Sequence, residues 1–555
     1  MRSVGVGRLG TRTGGAVFFV VALALTAFAF GMAALQFDAG AQGPGTMILH
    51  VRPVAKTWVL VAAILGSAMT FIDGSAVNVA LPVMQRELGA DAAQMQWVVE
   101  GYALFLAALI LLGGSLGDLY GRKRMFLIGI VVFTGASAVC AAAPDVSVLI
   151  LARCVQGIGA ACAMPESLAL LSATFTGAAR GRAIGTWSGF ASITGAAGPV
   201  IGGYLTQHAS WRWVFLLNVP IALLVIAISL RGVPESRDEE MAPQLDVPGA
   251  LLATLGLGAF TYGLIRAQGT VPDALATGAV LGGILLLAVF VVVERRSPEP
   301  MMPLDLFRSR TFSAANLYTL FLYSALGGSL YFVPYLLIDV QGYTPTAAGA
   351  SLLPFVLLMF ALSRWSGGLV ARIGARIPLV VGALLAGAGF IAFAVPGIGG
   401  SYWTTYFPAA IVLGLGGACF VAPLTTIVFD AVDTEKSGVA SGVNNAVARM
   451  AGLLAVALFG IILAGVFNSG FEARVARHHL STQTMRIVAS DRAKLYAGTV
   501  PPDIPAADRS AVAVGIHEGY LAGVRAVMVA SAIVCVLAAL VALVAIDGRP
   551  RSARR

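Results

Sequence analysis

After residue 50 the chain is a succession of long apolar runs separated by short polar segments. A hydrocarbon core about 30 Å thick takes about 20 residues of helix, and runs of that length number about fourteen here. They fall near 58–80, 95–118, 125–143, 148–172, 183–206, 213–230, 248–266, 274–293, 313–337, 348–370, 378–396, 407–430, 438–466 and 517–546. No gap between them is long enough for a soluble catalytic domain. The pattern predicts an all-α integral membrane protein, because helices satisfy their backbone hydrogen bonds internally in lipid.

The polar positions give the orientation. With the amino end of the first run inside and the loops assigned alternately, the inside set holds Arg52, Lys56, Arg122, Lys123, Arg124, Arg180, Arg182, Arg231, Arg237, Arg295, Arg296, Arg308, Arg310, Arg372, Arg376, Lys436, Arg549, Arg551, Arg554 and Arg555. The short outside loops hold Arg86 and Arg212, with Arg266 at a helix end. A ratio of about twenty to about three places both ends of the bundle in the cytoplasm. The outside segment 467–516 is also basic, but it is long enough for the rule to weaken. Its polar, proline-containing stretch predicts an extracytoplasmic loop.

Composition removes the soluble alternatives. The 555 residues are 58% hydrophobic and 11% charged, against roughly 25% charged in a soluble domain. The net charge of +9 is scattered through inter-helix segments, with no basic face interleaved with aromatics as nucleic-acid binding needs. Cys140, Cys154, Cys162, Cys419 and Cys535 all lie in apolar runs without metal-ligand or paired spacing, and read as small hydrophobes. Residues 1–46 hold Arg2, Arg8 and Arg12 before an apolar stretch, Ala16 to Leu35. An extra span there would invert every later loop, so the expectation is a non-native extension with Met47 as the functional start, the alternative being an atypical extra apolar segment.

A long internal repeat organises the runs. Gly181, Ala183, Gly185 and Gly195 recur as Gly438, Ala440, Gly442 and Gly452, offset by 257 residues. Gly114, Leu116, Gly121 and Lys123 recur as Gly367, Leu369, Gly374 and Arg376, offset by 253. The expected domains are a six-helix half over 47–230, two intervening helices with cytoplasmic linkers over 231–312, a second six-helix half over 313–546, and a basic cytoplasmic tail over 547–555. Two related halves around a mid-membrane cavity permit alternating access.

The strongest motif lies between the second and third runs: Gly114-Ser115-Leu116-Gly117-Asp118-Leu119-Tyr120-Gly121-Arg122-Lys123-Arg124. Glycine permits close helix approach and a tight turn, and Asp118 at a helix end can pair with the basic groups beside it. An ion pair there locks one conformation and must break in another. This run resembles the cytoplasmic-loop signature of the major facilitator superfamily. Its echo in the second half carries Ala371 where Asp118 stands, so a charge latch is expected mainly in the first half. Phe71-Ile72-Asp73-Gly74-Ser75-Ala76-Val77-Asn78-Val79-Ala80-Leu81-Pro82 resembles the first-helix signature of drug:proton antiporters. Leu151 to Gly159, with Arg153 embedded, resembles the fourth-helix motif. Gly189, Gly195, Gly198, Pro199, Gly202 and Gly203 resemble the fifth-helix pattern associated with antiport. Trp211 to Pro220 and Leu245-Asp246-Val247-Pro248-Gly249 resemble the fourteen-span branch, EmrB/QacA-like. The likeness covers nearly everything from Trp58 to Ile546. It implies the major facilitator fold, with two six-helix halves and two intervening helices.

Ionisable side chains inside the runs point to the same places. A charge at a helix centre costs about 2.5–3.5 kcal/mol on insertion scales and normally faces a partner or a polar cavity. Asp73, Glu100, Arg153 and Glu166 are such residues, all in the first half. Low dielectric favours the neutral carboxyl and a nearby guanidinium opposes it, so a moving arginine can bind or release a proton. Asp73 and Glu100 are the leading protonation candidates, Arg153 their positive partner, and Glu166, after Pro165, ranks last. The alternatives are a helix-bending contact of Asp73 with Asn78, a solvated Glu100 near the outer end, and a purely structural clamp for Arg153. Glu100 stands where the family resemblance implies a small hydroxyl residue. The glycine and proline cluster around 195–203 has helix packing as its plainer reading. Arg364 and Arg449 also lie inside runs and are assigned no substrate role. Trp97, Tyr102, Tyr318, Tyr323 and Tyr331 could stack on a flat lipophilic cation or simply pack the bundle.

No phosphate loop ending in Gly-Lys-Ser/Thr occurs, and no zinc-protease helix motif. The expectation is a secondary transporter rather than an enzyme, with no cofactor, no metal and the proton gradient as energy source. It would sit in the cytoplasmic membrane as a monomer, exporting amphipathic organic compounds or drugs against inward protons. An importer or uniporter of the same fold and a non-transporting membrane sensor are the rival readings.

Overall fold

The computed structural model describes residues 53–237, 245–268, 273–298, 300–432, 437–475, 481–490, 500 and 503–546. Within them the apolar runs form fourteen long helices: α1 (Pro53–Leu88), α2 (Ala92–Tyr120), α3 (Arg122–Ala142), α4 (Val146–Thr174), α5 (Gly177–His208), α6 (Arg212–Gly232), α7 (Val247–Arg266), α8 (Ala274–Arg296), α9 (Arg310–Val340), α10 (Leu353–Ile373), α11 (Arg376–Ala394), α12 (Tyr406–Asp430), α13 (Ser437–Val475) and α14 (Ala506–Ala545). Among the described residues thirteen helices are long and apolar enough to cross a membrane. The fourteenth, α5, has the length, at 32 residues. Its many glycines and Arg180 and Arg182 dilute its apolar content. The segments 1–46 and 547–555, read above as an extension and a tail, lie outside the described residues.

Polar residues just ahead of the runs set where helices begin. Asp91, Asp145, Asp246, Asp273 and Ser309 each accept a hydrogen bond from a first-turn amide of α2, α4, α7, α8 and α9, satisfying donors that a helix start leaves open. The outer segment 467–516 is more helical than the pattern suggested. Helix α13 continues to Val475, a short helix covers Thr482–Ser490, and α14 starts at Ala506. Polarity ends a hydrophobic run without ending a helix, and no proline interrupts the chain between Phe467 and Pro501.

The helices pack as two similar groups, α1–α6 and α9–α14. In the first, α1 packs on α5, α2 and α3 on α4, and α3 on α6. In the second, α9 packs on α13, α10 and α11 on α12, and α11 on α14. The repeat extends to the backbone. Gly121 and Gly374, 253 residues apart, both take positive φ, at 110° and 75°. Each closes its helix by donating its amide to the carbonyl four residues earlier, Gly117 and Val370. Only glycine adopts that conformation without strain.

The intervening pair α7–α8 packs together, and α7 lies in the seam where α2 of the first half meets α13 of the second. Leu257 joins Leu104, Ala108 and Leu453, while Leu264 and Ile265 join Ala457. Short connections place Arg122, Lys123, Arg124, Arg310 and Arg376 at one end of the bundle, and Arg86, Arg212 and Arg266 at the other.

Candidate functional site

Asp73 and Arg153 meet inside the first half. The Arg153 Nη1 lies 2.5 Å from Asp73 Oδ2, and the two side chains are 1% and 0% exposed. Helices α2, α3, α4 and α6 complete the cage around Asp73 of α1. Gln156, one turn along α4, donates to Asp73 Oδ1 at 2.9 Å and accepts from Arg153 at 2.7 Å. Asn218 on α6 donates to Asp73 Oδ1 at 3.3 Å and to Ser137 Oγ on α3 at 2.9 Å. Ser137 in turn donates to the carbonyl of Phe215. From α2, the Val98 carbonyl accepts from Arg153 Nε at 2.9 Å, and the guanidinium stacks 4.2 Å over the Tyr102 ring. Buried charge is tolerated when paired and hydrogen-bonded; here Arg153 donates through Nε and Nη1, and both Asp73 oxygens accept. Asn78, the alternative partner considered for Asp73, instead turns toward the carbonyl of Gly74.

Glu100 is in a different place. It is buried at 1% exposure, which excludes the solvated reading. Gln96 donates to its Oε1 at 2.8 Å, while Oε2 has no partner. Gln268, just beyond α7, donates to Gln96 at 2.9 Å and to the Ala457 carbonyl on α13 at 3.3 Å. Glu100 therefore belongs to a polar seam linking both halves and the intervening pair.

Glu166 lies under the glycine-rich turn. Its carboxyl packs on Gly117 so closely that a Cβ there would collide with it, and neither oxygen has a hydrogen-bond partner. Above it, Arg122 pairs with Asp118 at 2.7 Å. The amides of Lys123 and Arg124, the open end of α3, donate to the carboxylate of Glu235 at 2.9 and 3.1 Å. A Cβ on Gly121 would fall 2.8 Å from that carboxyl carbon. Gly114 is less crowded, with Pro165 3.6 Å from its notional Cβ.

The α5 motif divides between two partners. Gly198 and Gly202, one turn apart, lie against Ser75 and Ala76 of α1. Pro199 and Gly203, on the adjacent stripe, lie against Gly349 and Pro345 of the short helix Pro345–Ala350 that leads into α10. Gly195 touches neither, with nothing within 4 Å of its notional Cβ. Close to this contact Arg86 of α1 pairs with Asp339 of α9, and the Thr346 amide donates to Gln207 of α5 at 3.3 Å. The halves are thus fastened at the Arg86 end. Toward the Arg122 end, a Cβ on Gly181 or Gly185 of α5 would meet nothing within 4 Å.

Sequence reading found Asp73 and Arg153 but missed Gln156, Asn218, Ser137, Glu235, Gln268 and the Arg86–Asp339 pair. Gln156 had a signal, three residues after Arg153 on one helix face. Asn218 lay within the Trp211–Pro220 motif, but nothing local tied it, or the remaining residues, to Asp73 or to the turn. Tyr102 serves a protein cation, and Tyr318 donates to the Leu379 carbonyl at 2.8 Å. The side chain of Arg364 lies outside the described residues. Among those described, no cluster of three or more His, Cys, Asp or Glu could hold a metal.

Two repeated six-helix groups around a seam, with an ion pair caged in one of them, have the architecture of a membrane carrier. The family model described as Major Facilitator Superfamily matches residues 63–456, and the chain belongs to that family. It is 35% identical over 494 residues to the multidrug resistance protein Stp of Mycobacterium tuberculosis, covering 86% of this chain and 90% of that protein. It is 32% identical to the tetracenomycin C resistance and export protein of Streptomyces glaucescens, covering 87% and 90%. Among solved structures, a bacterial homolog of the human lysosomal transporter Spinster, inward-facing and occupied, superposes with a TM-score of 0.64 at 17% identity, covering 90% of this chain and 98% of that one. That likeness is one of fold.

Proposed function

We propose that this protein exports amphipathic organic compounds from the cytoplasm in exchange for inward protons, and that the Asp73–Arg153 pair carries the coupling. The observation behind this reading is the ion pair itself, caged by α2, α3, α4 and α6 where a scaffold would gain more from apolar packing. A proton reaching Asp73 leaves the guanidinium unpaired, and the four helices that hold it must rearrange. The names of the relatives, resistance and export proteins, supply the direction and the cargo class. The Arg122 end faces the cytoplasm in this proposal, as the loop arginines favour. The structure then stands closed to the outside, in the cytoplasmic membrane with both chain ends inside. One chain holds both halves and the seam, so a monomer suffices.

The test is efflux of an amphipathic dye from a pump-deficient bacterium and from proteoliposomes with an imposed ΔpH. Wild-type efflux should collapse with an uncoupler, and Asp73→Asn should lower coupled efflux by about tenfold or more, equivalent to roughly 1.4 kcal/mol. Unchanged coupled efflux in Asp73→Asn removes that residue from the mechanism. Uptake of dye in the same gradient would favour the importer.

A further inference from the structure

Arg449 stands on α13 in the membrane-spanning part of the second half, and it is only half-buried. One Nη lies 2.8 Å from the Met164 sulfur on α4 of the first half, and a thioether is a weak acceptor. Its Nε has no hydrogen-bond partner. Among the described residues no ion pair includes it. Asp73 holds Arg153 and Asp339 holds Arg86. Glu100 is bound by Gln96, and Glu166 lies against Gly117.

An unanswered guanidinium in the hydrocarbon layer is expensive, and such residues mark substrate or ion pathways. This one comes from the second half and reaches across the seam to helices of the first. The Met164 thioether beside it is apolar and adaptable, suited to the greasy part of a ligand. A cationic cargo would be repelled, whereas a planar fork of N–H donors matches a carboxylate or a similar delocalised anion.

We propose that Arg449 is the recognition point for an acidic group on the cargo, with Met164 beside it contacting the apolar part. This selects amphipathic anions, such as carboxylates, over lipophilic cations. The inference rests on the export reading for the existence of a cargo site and adds the cargo's charge.

The test uses the full chain in zwitterionic-lipid nanodiscs and three probes sharing one ring system: pyrenebutyrate, its methyl ester, and the pyrenebutyl trimethylammonium ion. Binding to empty nanodiscs is subtracted. Wild type should bind the carboxylate about tenfold or more tighter than the ester, and the ammonium most weakly. Arg449→Gln should bring carboxylate and ester within about twofold of each other while leaving ester affinity in place, which also shows that the variant is folded. Arg449→Lys should fall between, keeping the charge and losing the fork. The proposal is overturned if wild type fails to bind the carboxylate, binds the ammonium equally well, or keeps its preference in Arg449→Gln. Should Arg449→Gln not fold, the wild-type ranking and Arg449→Lys decide. Efflux of the ester without carboxylate preference would sink this inference alone, and carboxylate-selective binding without efflux would sink the export reading alone.

Discussion

A single carboxylate can organise a segment that sequence labels a linker. Glu235 lies three residues beyond α6, on the path to the intervening pair, yet it closes the open end of α3 by accepting from the Lys123 and Arg124 amides. The backbone adds to this, with the Arg122 amide donating to the Ser236 carbonyl at 2.8 Å. Removing a capping side chain costs about 0.5–2 kcal/mol locally. Glu235→Ala should therefore speed hydrogen exchange at Lys123 and Arg124 by roughly 2- to 30-fold, with little change at Ser147 and Val148, which Asp145 caps independently. Equal protection in wild type and variant would show that the cap contributes nothing. Asp73 makes the matching point inside the membrane. Its type and position were legible because an acid in an apolar run has few explanations, but the companions that complete its cage sit on helices up to 145 residues away.

At the scale of the element, α5 shows one motif serving two purposes. The stripe of Gly198 and Gly202 packs within the first half, and the stripe of Pro199 and Gly203 meets the second. Small residues allow such close approach in lipid, where packing and backbone contact drive association. Neighbouring substitutions should then have different consequences. At Gly202 a Cβ would fall 2.6 Å from the Ala76 carbonyl oxygen, so Gly202→Val should reduce the yield and thermal stability of folded protein. Gly203→Val should leave the first half folded and instead pry the Arg86 end apart, seen as faster labelling of a cysteine placed on the segment before α10. Identical stability loss in both variants would mean that the two stripes are one packing surface. The sequence showed the glycines; which side each one faces depends on the crossing of helices that no pattern specifies.

For the whole molecule, closure is a balance between the two ends. The Arg86–Asp339 pair joins α1 to α9 where the halves meet, with Arg86 41% exposed. Asp339 is 8% exposed, so water screens the pair from the arginine side only; at about 0.2–1 kcal/mol for a pair open on one side, it shifts the population by up to roughly fivefold and is too weak to hold one state alone. Asp339→Asn should accordingly raise the population open at this end by about 1.4- to fivefold. The measurement is the distance distribution between a spin label on the α1–α2 turn and one ahead of α10. An unchanged distribution would leave the latch to the backbone contacts at Gly203 and Gly349. The intervening pair has a part in the same balance, since Gln268 touches both Gln96 and Ala457 across the seam.

Hydrophobic run length, loop arginines and the two offsets of 253 and 257 determined by themselves that this chain forms a repeated bundle of about fourteen membrane helices. Those properties are local, because each helix satisfies its own backbone hydrogen bonds and reads out directly as a run. The tertiary structure alone decided that Asp73 is paired with Arg153, that Glu100 belongs to the seam and Glu166 to the turn above it, and that Arg449 goes unanswered. Partnership between charges on different helices depends on the rotation and crossing of each helix. Those are set by the collective packing of side chains that, one at a time, are all simply apolar.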